Sequence, residues 1–122
     1  MRPMYDSEVE VFRDQVKSFL KANLSDEWQG IGTLPADEAQ AWVTEWRKIL
    51  YHQRYLAPGW PAIYGGGGMS ALEQVILAEE FAKAGVPTGG SNDAFGITML
   101  GNTLLAWGTE EQKEYYLPRI LS

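Results

Sequence analysis

Four groups of residues in this sequence have types and spacings that could do chemistry. Gly65-Gly66-Gly67-Gly68 stands just before Ser70, which can open a helix. Backbone N–H groups of a glycine loop at a helix start can cradle phosphate. No Lys-Ser or Lys-Thr follows the run and no strand pattern precedes it, so neither the P-loop nor the dinucleotide fingerprint is complete. Glycine's tolerance of positive φ explains the run as a backbone turn. His52 is the single histidine, at the end of an expected helix between Tyr51 and Arg54, with no nucleophile motif or second ligand beside it. A solvated helix-end histidine, favoured by the dipole, accounts for it. Glu79 and Glu80 are adjacent and diverge by about 100° on a helix, so they do not form an acid–base pair on one face; pairing with Lys83 is the simpler reading. Trp42 and Trp46 could stack on a flavin or a base, but at helical spacing within an apolar face core packing is favoured. Asn92, Asp93 and Asn102 read as cap and surface residues. None of these sets makes a catalytic constellation by itself.

Composition narrows the partners. The 122 residues fit one domain, and a chain of this size buries roughly two thirds of its unfolded surface. Cysteine is absent, which excludes disulfides, thiol catalysis and cysteine-ligated metal sites. The net charge is −6 and the ten basic residues are scattered, from Arg2 to Arg119, so a phosphate-backbone partner is not expected. Met1-Arg2-Pro3 leads into charge rather than an apolar run, unlike a secretory signal. No apolar stretch approaches the ~20 residues of a membrane-spanning helix. A cytoplasmic protein is the expectation, with no metal, nucleic acid or membrane among its partners.

The elements that must carry these residues are helices. The first runs from about Ser7 to Asn23, with Ser7 and Glu10 as a capping box and Phe12, Val16, Phe19 and Leu20 as its apolar face. Leu24 to Leu34 is loop with room for one turn. Pro35 suits the first position of a second helix, in which Ala39, Trp42, Val43, Trp46, Ile49 and Leu50 form a broad apolar stripe. Leu56 to Met69 interrupts, with prolines and glycines that cannot continue a helix. Ser70 and Glu73 cap a third helix, whose core side is Leu72, Val75, Ile76, Phe81 and Ala82, and Gly85 ends it with Pro87 beyond. From Asn92 or Asp93 a fourth helix reaches Trp107, with Phe95, Met99, Leu100, Thr103, Leu104 and Trp107 as apolar residues. Gly108 is expected to end it in the left-handed conformation, and Thr109 with Gln112 to cap the last helix. Glu110 and Glu111 suit its first turn. Its apolar residues are Tyr115, Tyr116, Leu117, Ile120 and Leu121, and Pro118 is expected to kink or break it. No run alternates with period two, so the fold class is all-α, a five-helix bundle.

Three segments resemble the N-terminal domain of the FAD-dependent acyl-CoA dehydrogenases. They are Leu56 to Gly66 (Leu-Ala-Pro-Gly-Trp-Pro-Ala-Ile-Tyr-Gly-Gly), Glu73 to Pro87, and Leu100-Gly101 through the Gly-Thr-Glu-Glu-Gln-Lys run at Gly108 to Ile120. Their order and intervals match, so the likeness extends from Asp6 onward. Ile63 departs from the family, which usually has glutamate just before that tyrosine. The sequence is most similar to actinobacterial-type members, including those acting on sterol side chains.

The resemblance implies residues 1–122 as the N-terminal α domain of a three-domain flavoenzyme. A β-rich middle domain and a C-terminal helical domain would follow beyond Ser122. Such an enzyme converts acyl-CoA to trans-2-enoyl-CoA in fatty-acid or sterol side-chain degradation: a C-terminal glutamate removes the α-proton and FAD takes hydride from the β-carbon. Catalytic residues are therefore not expected in this chain, nor tight retention of FAD. Carried over by alignment from Gly108, the far wall of the acyl pocket falls on Phe95, Gly96 and Met99. Apolar, adaptable residues there suit a fatty or steroid-derived chain. The implied partners are an acyl-CoA thioester, an electron-transfer-flavoprotein-type acceptor, and like or unlike subunits of an oligomer. An isolated domain would bare an apolar face and self-associate. The alternatives are a free-standing helical interaction module, a non-catalytic subunit of a heteromeric dehydrogenase, and an acyl-carrier or nitroalkane-type oxidase of the same superfamily.

Overall fold

A computed structural model describes residues 6–122; the readings of Met1-Arg2-Pro3 lie outside them. Helices α1 (Asp6–Asn23), α2 (Ala36–Gln53) and α3 (Ala71–Ala84) are followed by a π-helical segment, Ala94–Gly101. That segment runs directly into α4 (Asn102–Trp107), and α5 (Glu110–Leu121) closes the order. Short 3-10 turns at Ile31–Thr33 and Ala62–Tyr64 lie in the two long connections. No strand occurs among the described residues, and the all-α architecture is the one expected. Among the described residues no helix is long and apolar enough to cross a membrane.

Apolar spacing builds the core. Phe12, Val16, Phe19 and Leu20 are the buried residues of α1, which packs on α3. Trp46 and Leu50 are buried on α2. Trp28, Trp42 and Trp46 form a stack with centroids 4.3 and 5.1 Å apart, so the α2 tryptophans are packing residues. Their polar edges are satisfied: Trp28 Nε1 donates to Ala84 O at 2.7 Å and Trp46 Nε1 to Pro87 O at 2.9 Å.

Both later capping boxes form, Ser70 with Glu73 and Thr109 with Gln112. Gly85 ends α3 in the left-handed conformation, φ 69°. Other local expectations are corrected. Ser7 lies inside α1, which starts at Asp6, so it is not the cap residue. Pro35 is one position earlier than expected, as the N-cap of α2. Leu72 and Val75 are exposed, as is Ala82, and the buried side of α3 is Ile76, Leu77, Glu80 and Phe81. Apolar residues are spread round that helix and one of its buried residues is Glu80, so periodicity alone does not choose its face.

Two corrections concern the end of the chain. Gly108 is extended, with φ −75° and ψ 157°, rather than left-handed. Glycine is needed there because its N–H meets Leu104 O at 2.7 Å and a Cβ would fall 2.6 Å from that oxygen. Pro118 does not break α5, which continues to Leu121. Leu117 and Leu121 are buried on either side of it, and that packing holds the helix through the proline. The Arg119 guanidinium donates to the nearby carbonyl of Tyr115.

Candidate functional site

The fourth helix departs from α geometry where the predicted site lies. Ala94–Gly101 is π-helical, a rare form that inserts an extra residue per turn and concentrates at functional sites. Tertiary contacts hold it at three points. Asp93, just before it, takes the Arg47 guanidinium at 2.9 Å from both Nε and Nη2. In the middle, a Cβ on Gly96 would lie 3.0 Å from Ile120 Cγ2. At the end, Gly101 is buried against Trp60, where a Cβ would fall 2.0 Å from Cζ2. Beyond it, Thr103 Oγ1 donates to Met99 O at 2.8 Å, engaging a carbonyl at the junction with α4.

Phe95, Gly96 and Met99 come together. With Asn92, Leu100 and Thr103 they line one open pocket of about 600 Å3. Phe95 is 69% and Met99 61% exposed, far more than core residues of their size. No charged residue occurs between Ala94 and Gly108, and none lines this pocket. On the opposite flank of the segment, Ala94, Ile97 and Thr98 face a larger cleft of about 870 Å3, with Trp60, Leu77 and Phe81 across it. Sequence reasoning missed this second flank, because the π turn redistributes which residues share a side. It also treated Asp93 as a surface cap, whereas its side chain is only 15% exposed and ion-paired with Arg47. Arg47 had no signal in the sequence beyond its place on the polar side of an amphipathic helix.

Neither flank offers proton chemistry. Of the two acidic groups in the larger cleft, the Asp93 carboxylate is occupied by Arg47 and by the Gly90 N–H. Burial pushes the Tyr55 phenol up, so it stays protonated at neutral pH. What the surface can do is accept an apolar chain. Glu79 and Glu80 serve structure: one guanidinium, Arg13, reaches Glu80 at 2.6 Å and Glu79 at 3.0 Å, and Lys83 pairs with Glu80 at 3.2 Å. Burial alone would raise the Glu80 pKa, but hydrogen bonds from Arg13 and Lys83 outweigh it and hold the carboxyl below its ordinary value. His52 is exposed in the last turn of α2. Among the described residues no group of three or more His, Asp or Glu is placed to hold a metal.

The glycine run does not fit a phosphate cradle. All four N–H groups are used internally: Gly65 donates to Ala62 O, Gly66 to Pro61 O, Gly67 to Ala57 O and Gly68 to Trp60 O. A Cβ on Gly66 would fall 2.3 Å from Trp60 O, and one on Gly67 2.7 Å from Arg54 O. The glycines let backbone pack on backbone. Tyr64, at the head of the run, donates its hydroxyl to Glu110 at 2.8 Å and fastens the loop to the start of α5. That bond raises the Tyr64 pKa and lowers that of Glu110, which Lys113 lowers further.

The described helices thus present an open flank at Phe95 and Met99 that no charged or acid–base side chain lines. The chain belongs to the family described as "Acyl-CoA dehydrogenase, N-terminal domain", which matches residues 6–122. It is 37% identical over 117 residues to acyl-CoA dehydrogenase IpdE1 of Mycobacterium tuberculosis, covering 93% of this chain and 30% of that protein. Among solved structures, it is similar to a chain of the ChsE4-ChsE5 complex from Mycobacterium tuberculosis, with a TM-score of 0.66, 33% identity and coverage of 99% and 29%. A chain of the Tcur3481-Tcur3483 steroid ACAD matches with a TM-score of 0.66, 33% identity and coverage of 100% and 30%. The chain therefore spans less than a third of the length of these relatives.

Proposed function

We propose that this chain is the N-terminal α domain of an FAD-dependent acyl-CoA dehydrogenase and that Ala94–Gly101 forms part of the wall against which the acyl group rests. The observation that carries the reading is the convergence of Phe95, Gly96 and Met99 on one uncharged, open pocket. An apolar chain laid there displaces water from the Phe95 ring and the Met99 thioether without burying an unpaired charge. Met99 adapts its shape to the chain, which suits a long or steroid-derived tail. The flavin supplies the hydride chemistry when bound, and it is held by polypeptide other than the glycine loop, whose N–H groups are spent. The base belongs outside these residues as well. In this reading the enzyme works in the cytoplasm, in fatty-acid or sterol side-chain degradation, and hands electrons to a flavoprotein-type acceptor.

A second reading concerns assembly. The likeness to chains from two-protein dehydrogenase complexes favours a hetero-oligomer, in which this chain belongs to either the catalytic or the non-catalytic subunit.

The test uses the complete polypeptide that carries these residues. Dye-coupled oxidation of butanoyl-, octanoyl- and hexadecanoyl-CoA is compared between wild type and Met99→Trp. A wall at Met99 makes the variant lose the long substrate selectively, through KM. Equal change for all three substrates, or none, removes Met99 from the wall; an unchanged profile there with a shift in Thr98→Trp moves the wall to the larger cleft.

A further inference from the structure

We infer that Arg47 is a positioning residue that fixes the pose of the Ala94–Gly101 segment and thereby sets which acyl lengths the wall accepts; this deepens, and rests on, the wall assignment above. One guanidinium links three parts of the chain that are remote in sequence. Nε and Nη2 take the Asp93 carboxylate, Nη1 donates to Leu121 O at 2.9 Å and Nη2 also donates to Ile120 O at 3.0 Å. The side chains are shielded, 23% exposed for Arg47 and 15% for Asp93, so water competes weakly for these bonds. Asp93 is held from its other side by the Gly90 N–H.

The geometry fixes both ends of the relevant lever. Asp93 immediately precedes the π-helical segment, so its position sets where the segment begins. Ile120, whose carbonyl Arg47 holds, is the residue on which Gly96 rests. One side chain thus sets the entry of the segment and the surface behind it. Arg47 lines a neighbouring pocket that shares Asn92 and Gly96 with the pocket of Phe95 and Met99 but does not line the latter. Its guanidinium is engaged by Asp93, Ile120 and Leu121, so its influence on a chain resting on Phe95 and Met99 passes through the segment. Lysine cannot replace it, because a compact ammonium lacks the planar fork that serves a carboxylate and two carbonyls together.

The experiment uses Arg47→Lys and Asp93→Asn in the complete polypeptide with its cofactor bound. Oxidation of butanoyl-, octanoyl- and hexadecanoyl-CoA is measured alongside amide hydrogen exchange. The expected result is a KM for hexadecanoyl-CoA raised about tenfold with kcat for butanoyl-CoA unchanged, since small misplacements are felt where a long chain must fit. Exchange should quicken in residues 93–101 while the amides of α1 and α3 keep their wild-type rates. Equal loss on all three substrates, an unchanged profile, or failure of both variants to fold overturns the positioning role. If Met99→Trp shifts the profile and these variants do not, this inference alone fails; if none of them shifts it, the wall assignment fails too.

Discussion

Trp60 and Gly101 are fitted to each other: the indole occupies the space a side chain at Gly101 would need, with Cζ2 only 2.0 Å from where a Cβ would stand. Trp60 belongs to the proline- and glycine-rich connection and is 4% exposed; Gly101 closes the π-helical segment. The pair joins the loop to the wall. Gly101→Ala forces a shift of a large buried ring, and about 2 kcal/mol of stability should be lost, read as a lower urea midpoint at constant slope. In Trp60→Ala the same glycine substitution should cost much less, giving a clear coupling energy. Additive losses would mean that the two residues do not share a boundary.

Acid should weaken the α1–α3 contact through Glu80. Its folded pKa is depressed, so the carboxylate's contribution is complete above the ordinary value of 4.5 and disappears as pH falls through the lower folded value. Melting temperatures of wild type and Glu80→Gln should therefore differ most above that value and converge in acid. A difference that grows as the pH is lowered would contradict the sign.

Thr109 holds the start of α5 by accepting from the Gln112 N–H at 3.1 Å, while Gln112 returns a bond to the Thr109 N–H at 2.9 Å. Thr109→Ala should cost about 1 kcal/mol in chemical denaturation, and Thr109→Ser should restore most of it. A loss in both variants alike would point to packing of the Thr109 methyl instead.

The uncharged stretch from Ala94 to Gly108 leaves Phe95, Met99, Leu100 and Trp107 exposed, the last at 87%. An apolar surface of this kind is rarely left bare. In light scattering on the 122-residue chain, apparent mass should rise with concentration, and Trp107→Glu should reduce the rise. A strict monomer at high concentration would count against it.

Local chemistry made much of this fold legible. The apolar face of α1 and both later capping boxes depend on residues within a turn or two of each other, and they form where the spacing puts them. What was hidden depends on distant partners. Gly108 looked like a left-handed stop, but its glycine is required by the approach of Leu104 O. Pro118 looked like a break, but buried Leu117 and Leu121 hold the helix across it. The π-helical geometry has no periodic signature, because it is held from outside by Arg47 through Asp93 and by Trp60 against Gly101. Phe95, Gly96 and Met99 follow from the family resemblance, whereas Ala94, Ile97 and Thr98 share the other flank only because the chain folds that cleft against Trp60, Leu77 and Phe81.

The central claim is that the acyl tail lies against Ala94–Gly101. The most direct measurement is photolabelling of the complete polypeptide with an acyl-CoA that carries a diazirine at its distal end, followed by peptide mapping. The account predicts label within residues 94–101, displaced by unlabelled long-chain acyl-CoA. Competable label found only outside that segment would contradict it.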